Sequence, residues 1–298
     1  MMSSNTCANC GKEGSDVVNT CNKCKEVMYC NAACKKKHRH KHKKDCERRV
    51  AELHDEALFK QPPKDEDCPI CFLRLPYLSS GRVYMSCCGK VICSGCTHTV
   101  TSQQKGPSLC PFCRIPAPTT DEELVKRYEK RIERDDPDAN AFYNEGCYYS
   151  RGMHGYIQDT IKALEHWHQA GELGHAAAYL NIGYAYENGR GVERDELKAI
   201  HFYELAAMGG DEGARHNLGS MEERAGNIER AVKHYMTAAG SGSSDSLEAI
   251  KRMYIKGNTT KDEYANALRS HKVYLDEIRS AQRDEAAAFS DDFKYYES

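Results

Sequence analysis

The chain has 298 residues, 40% of them hydrophobic, with 42 Lys and Arg against 44 Asp and Glu. That length accommodates two or three units of about 100–200 residues, and the apolar share falls below the usual ~45–50%. One large core is therefore excluded, and small units with other staples are favoured.

The first 20 residues, MMSSNTCANCGKEGSDVVNT, hold no apolar run of the kind a secretory leader needs. No segment approaches the ~20 apolar residues of a membrane span. The expectation is a soluble protein in a reducing compartment, cytoplasmic and/or nuclear. There, closely spaced Cys pairs are metal ligands more often than disulfides. Fifteen of the 16 Cys precede residue 114, and only Cys147 follows. The N-terminal third is thus metal-built and the remainder is not.

Residues 7–46 run Cys7-x2-Cys10, Cys21-x2-Cys24, Cys30-x3-Cys34 and His42-x3-Cys46. Eight ligands suffice for two tetrahedral zinc ions. A two-residue gap lets both thiolates of a turn face one ion, and a three-residue gap does so from one helix face. About 40 residues cannot bury a self-sufficient core, so metal supplies the folding energy. The order, with Tyr29 just before Cys30, resembles the MYND zinc finger. The resemblance implies Cys7, Cys10, Cys30 and Cys34 on one zinc, and Cys21, Cys24, His42 and Cys46 on the other. It also implies a protein-interaction module. MYND fingers that bind proline-rich peptides usually carry Trp after the position of His38, and here Arg39 stands there.

The run KKKHRHKHKK (35–44) invites a nucleic-acid or nuclear-import reading. Residues 1–50 carry 12 basic against 5 acidic side chains. We read the run as the solvated face of the finger's last helix, with His42 and Cys46 turned to the metal, rather than as a nucleic-acid site.

Residues 51–66 are expected to extend that helix and then form a Pro-Pro linker. The second cysteine block follows: Cys68-x2-Cys71, Cys87-Cys88, Cys93-x2-Cys96 and Cys110-x2-Cys113. Its gaps resemble a RING finger of an all-cysteine variety, through CCGKVICSGC. Lys90 occupies the place where most RING fingers have His, and an ammonium cannot ligate zinc without losing its proton. The resemblance implies Cys68, Cys71, Cys93 and Cys96 on one zinc, and Cys87, Cys88, Cys110 and Cys113 on the other. Adjacent ligands at 87 and 88 need a strained turn that Gly89 can relieve. The alternative is that Cys87 is structural and His98 or water completes the shell. RING fingers recruit a ubiquitin-conjugating enzyme through an apolar groove between the metal loops. The resemblance places that contact on Ile70, Pro111 and Arg114. The alternative is that Ile70 and Pro111 pack the loops and Arg114 is solvated.

Beyond residue 120 the chain repeats itself. Thr120 with Glu123 is a capping-box signature. AFYNEGCYYSRG, AYLNIGYAYENG, ARHNLGSMEERAG and, faintly, SLEAIKRMYIKG each precede a second helical stretch. Gly146, Gly183 and Gly219 correspond, as do Ala163, Ala199, Ala231 and Ala267. One helix pair cannot bury its apolar face alone, so the units must stack into a solenoid. Trp167, Tyr186, Tyr203 and Tyr235 are expected to fill the layers. Cys147 is expected to be a small apolar residue. The pattern, clearest in GRGVERDELKA (189–199), resembles the Sel-one-like repeat, a relative of the tetratricopeptide repeat.

The expected fold is mainly α: an α/α helical-repeat solenoid preceded by two zinc-stapled modules. The expected divisions are 1–50 (MYND-type finger), 51–66 (linker), 67–115 (RING-type finger), 120–270 (repeats) and 271–298 (a helix and a disordered tail). The arrangement resembles unicellular algal proteins that combine a RING with these repeats. That resemblance sets the architecture and not the activity. The expected function is a RING-type ubiquitin ligase with four zinc ions, whose partners are a conjugating enzyme and protein substrates. A non-catalytic zinc-finger and repeat adaptor is the alternative. No catalytic side chain, Asn-His-x-Cys methyltransferase motif or phosphate-binding Gly loop is found, and no membrane partner is expected.

Overall fold

The computed structural model describes residues 6–61, 66–104 and 107–296. The chain divides into two compact units, residues 1–60 and 61–298. Of the expected linker, residues 62–65 lie outside the described residues.

In the first unit, β1 (Asn19–Thr20) pairs antiparallel with β2 (Met28–Tyr29). Helix α1 (Ala32–Leu58) follows, capped by Asn31, whose side chain accepts from the Cys34 N–H. The interior is Cys7, Val17, Cys21, Cys24, Tyr29 and Cys46, mostly sulfur rather than hydrocarbon. Along the basic run only His42 is buried, while Lys36, Lys37, Lys41, Lys43 and Lys44 are exposed. A helix so poor in apolar residues turns inward chiefly its three candidate ligands, Cys34, His42 and Cys46, with Leu58 buried at its end.

The second unit begins with a finger. Strand β3 (Arg82–Tyr84) pairs antiparallel with β4 (Val91–Cys93), and α2 (Ser94–Gln103) follows directly. Its core is Cys68, Leu75, Ile92, Cys93 and Cys96. Helix α3 (Asp121–Ile132) is capped by Thr120 as the sequence predicts, although Glu123 accepts from the Thr119 N–H.

Four helix pairs come next: α4 (Ala139–Arg151) with α5 (Thr160–Glu172), α6 (Ala176–Asn188) with α7 (Glu196–Met208), α8 (Glu212–Arg224) with α9 (Ile228–Gly240), and α10 (Ser244–Ile255) with α11 (Lys261–Ile278). Asp159 and Asp195 cap the second helices of the first two pairs, and Thr260 closes a capping box on the fourth.

The packing rule is the same in three pairs. A Cβ added at Gly146, Gly183 or Gly219 would stand 2.5, 2.6 or 2.8 Å from ring atoms of Trp167, Tyr203 or Tyr235. The glycine therefore lets the ring of the second helix lie on the backbone of the first. The hydroxyl of Tyr203 donates to Glu187 (2.7 Å) and that of Tyr235 to Glu223 (3.1 Å), each acid four residues after its glycine. In the first pair the ring is an indole and the corresponding position is Ser150. Trp167, Tyr203 and Tyr235 are core residues, as predicted, and Tyr186 is half-buried, stacked on Phe202. Cys147 is half-buried against the first pair's core, its thiol pushed up mainly by burial.

The tail departs from the sequence expectation of fraying and disorder. Ala281–Phe289 forms α12, a 3-10 turn follows at Asp291–Phe293, and Tyr295 is buried. The reason is tertiary: α12 packs on α2 of the finger, and Tyr295 joins Tyr274 and Ile278 in one cluster. The finger also meets the start of the repeats. Tyr84 stacks on Tyr128 and donates to Asp138, the N-cap of α4.

Candidate metal centres and partner surface

Four of the five Cys-x2-Cys pairs sit on the same turn; the fifth, Cys93 and Cys96, lies at the start of α2. In those four, the residue after the second Cys (Gly11, Lys25, Phe72, Arg114) has a left-handed backbone, with φ between 58° and 74°. Its N–H donates to the carbonyl of the first Cys, over 2.9, 3.1, 2.8 and 3.0 Å. The turn points both sulfurs to one side, so local geometry makes half of each site.

Long-range pairing makes the other half. The sulfurs and His42 nitrogen converge as four groups: Cys7, Cys10, Cys30, Cys34; Cys21, Cys24, His42, Cys46; Cys68, Cys71, Cys93, Cys96; and Cys87, Cys88, Cys110, Cys113. Within each group all ligand atoms lie within 4.8 Å of one another. Sulfur separations of 3.7 Å (Cys10–Cys30), 3.7 Å (Cys21–Cys46), 3.8 Å (Cys71–Cys93) and 3.7 Å (Cys88–Cys110) are far beyond a disulfide at about 2.05 Å. They match the edge of a tetrahedron around zinc, about 3.8 Å for Zn–S near 2.3 Å. The donor set therefore fits zinc, with four protein ligands closing each group.

The pairs alternate in both blocks, first with third and second with fourth. In the second block this is a cross-brace. Cys87 and Cys88 share a turn in which the N–H groups of Cys88 and Gly89 both donate to the Met85 carbonyl, and Gly89 has φ +77°. Cys87 thus joins the fourth group, while His98 packs between Phe289 and Phe293. Lys90 is exposed, its ammonium 4.7 Å from the centroid of Phe112.

Charge inside the groups is uneven in a way a divalent cation would relieve. In the first, Cys30 is pushed up to about 12, chiefly by its contact with the Cys34 thiol. Burial also pushes Cys7 up, but backbone N–H groups of Cys30, Asn9 and Cys10 outweigh it and hold Cys7 at about 6. In the fourth, burial raises Cys87, whereas backbone N–H groups override burial at Cys110 and hold it at about 7. One thiolate per group opposes ionisation of its neighbours; a bound cation removes that opposition.

Ile70 is half-buried in the first loop, against the core of the finger. Pro111 is half-buried in the last loop and lines a groove of about 410 Å³ with Thr97, Val100 and Leu109 of the finger and Leu124, Tyr128 and Tyr148 of the helices that follow. Ile70 and Arg114 do not line that groove, and Arg114 is exposed. Sequence reasoning missed Phe72, 77% exposed just after Cys71. Its signal was the bulky apolar residue at the left-handed position of the turn.

Together these features define a cysteine-finger and helical-repeat protein. The MYND finger model matches residues 7–46, and the Sel1 repeat model matches residues 139–175 and 176–211, so the chain carries both modules. It is similar to "E3 ubiquitin-protein ligase GW2" of Oryza sativa subsp. indica, at 39% identity over 72 residues, 22% of this chain and 15% of the relative. It is also similar to "ERAD-associated E3 ubiquitin-protein ligase component HRD3B" of Arabidopsis thaliana, at 30% identity over 95 residues, 32% of this chain and 15% of that one. These alignments span about a sixth of the relatives' length. Among solved structures, a Sel1 repeat protein from Oxalobacter formigenes superposes with a TM-score of 0.45 at 28% identity, covering 52% of this chain and 64% of its own. Among the described residues no helix is long and apolar enough to cross a membrane.

Proposed function

We propose that the chain is a RING-type ubiquitin-protein ligase. The sixteen residues of the four groups bind four zinc ions, two per finger, and the metal is structural. The second finger, residues 67–115, offers no nucleophile, acid or base. Its contribution is orientation of a charged conjugating enzyme, a proximity effect. Ile70 and Pro111 supply the apolar contact, and Arg114 meets the bound enzyme and its ubiquitin. The repeats, with the MYND finger, hold protein substrates. The observation that carries this reading is the cross-brace of the third and fourth groups, with Arg114 exposed at the left-handed position after the last pair. The ligase named among the similar proteins supports it.

The test is discharge of ubiquitin from a panel of charged conjugating enzymes to free lysine by the zinc-loaded chain. Acceleration that Ile70→Ala abolishes is expected. No acceleration by any member would favour the second reading, a non-catalytic adaptor. Two observations speak for that reading. Lys90 lies over Phe112 in the last metal loop, and the similarity to HRD3B is to a protein named as a ligase component.

A further inference from the structure

We propose that Arg283, on the C-terminal helix α12, is an outer-sphere partner of the Cys68, Cys71, Cys93, Cys96 group, so that metal binding there and docking of the C-terminal segment form one linked equilibrium. The proposal rests on the zinc reading of that group.

Arg283 is 0% exposed. Its guanidinium donates to the carbonyls of Arg74 (2.8 Å), Ile278 (2.6 Å) and Leu73 (3.4 Å), and to Cys71 Sγ at 3.8 Å. None of these four acceptors is a carboxylate. A buried cation held by carbonyl dipoles alone is costly. Four thiolates around a divalent cation carry a formal charge of −2, and that is the missing counter-charge. Charge-assisted N–H bonds to metal-bound sulfur are the usual way such a group is oriented and its excess charge relieved.

The backbone geometry points the same way. Leu73 and Arg74 directly follow the turn that carries Cys71, so the guanidinium ties down that turn. Gly95 lies between Cys93 and Cys96, and a Cβ there would stand 2.8 Å from the Arg283 backbone nitrogen. Helix α12 is therefore pressed onto the helix start that supplies two of the four ligands. The rest of the tail follows: Ser80 donates to the Lys294 carbonyl (2.6 Å), and Tyr295 is buried. Without metal nothing draws the four ligands together, the turn and helix start that Arg283 bridges lose their common anchor, and α12 loosens on the finger. Without Arg283 the group holds its metal less tightly.

The experiment uses the full zinc-loaded chain. Native mass spectrometry counts the ions, a competing chelator reads their release, and hydrogen exchange reads residues 281–296. Wild type is expected to hold four ions. Arg283→Gln is expected to hold one of the four about 10–100-fold less tightly, the range for outer-sphere changes, with the other three unaltered. Arg283→Lys should restore part of the loss. Tyr295→Ala loosens the same tail but keeps the guanidinium, and should raise zinc release by less than Arg283→Gln does. With cobalt in place of zinc, Arg283→Gln should shift the thiolate-to-metal charge-transfer band of one site, which a packing role would not do. If Arg283→Gln does not fold, chelation of wild type alone still tests the link: exchange in 281–296 should rise with loss of the ion from this group. Wild-type release from Arg283→Gln, or equal zinc loss from Tyr295→Ala, overturns the proposal. A wild-type chain with no ion at this group overturns both it and the zinc reading, and the count on wild type tells the two failures apart.

Discussion

The fingers and the helix pairs solve the same problem with different materials. In residues 6–61 the buried positions are mostly cysteines and a histidine, around Val17 and Tyr29, with Leu58 at the end of α1. In the pairs from α4 to α11 they are alanines, rings and glycines at fixed places. The first interior is held by bonds to a cation and the second by close contact between backbones. The difference predicts what each region tolerates: the fingers accept almost any surface residue but no loss of a ligand, whereas the pairs accept loss of metal but no added methyl at the contact glycines.

The sharpest way to break that comparison is to remove the metal. Apparent zinc-binding energies of small fingers are about 10–16 kcal/mol, which exceeds what such short segments gain otherwise. Chelation at neutral pH should abolish hydrogen-exchange protection across residues 6–61 and 66–116. Protection across the helix pairs from 139 to 278 should persist. Fingers that keep their protection after complete chelation would mean that the sulfur-rich interior is stable by itself.

A smaller effect tests the junction of the two regions through pH. The ring of His175 stacks on Tyr143 at 4.1 Å. Burial, and then the charge of Arg82 on strand β3 of the finger, push its pKa from the ordinary 6.5 down to about 4. The folded value lies below the unfolded one, so folding favours the neutral ring. That contribution is fully present above pH 6.5 and is lost as pH falls towards 4, to a limit of about 3 kcal/mol. His175→Gln does not titrate. Urea unfolding followed by the single Trp, Trp167, should therefore show wild type losing on the order of 2 kcal/mol relative to His175→Gln between pH 7 and pH 4.5. An unchanged gap would show that the ring is not held neutral.

Much of this was legible in the sequence because its signals are local or periodic. Cys-x2-Cys is a local motif, and its five copies, taken in order with Cys30-x3-Cys34, His42-x3-Cys46 and Cys87-Cys88, pointed to the groups through resemblance. The spacing of Gly146, Gly183 and Gly219 announced the helix pairs. What was not legible depends on contacts between distant residues. Nothing near residue 283 marks an arginine that will lie beside Cys71, more than 200 positions away. The acidic, aromatic tail has the composition of a solvated end, and only the face of α2 left open by Gly95 makes it fold. The Glu187 and Glu223 partners of the buried tyrosines were in view, four residues after each glycine. They carry no signal until the ring is known to lie on that glycine.

The finest test compares one methyl at two glycines. At Gly183 a Cβ would meet Tyr203 at 2.6 Å, on a ring that is 0% exposed and fixed by its bond to Glu187. The ring cannot turn away without losing that bond, so the two helices must part. At Gly240, the last residue of α9, the nearest atom is Ser270 Cβ at an ordinary 3.6 Å, and the backbone is not left-handed. Gly183→Ala should cost about 1–3 kcal/mol, the range for overpacking a tight core. Gly240→Ala should be neutral or stabilise by about 0.4–1 kcal/mol, since it only restricts the unfolded chain. Thermal melts of both variants decide it: a loss at Gly240 as large as that at Gly183 would mean that glycine content, and not the ring-on-backbone contact, sets the tolerance of these helices.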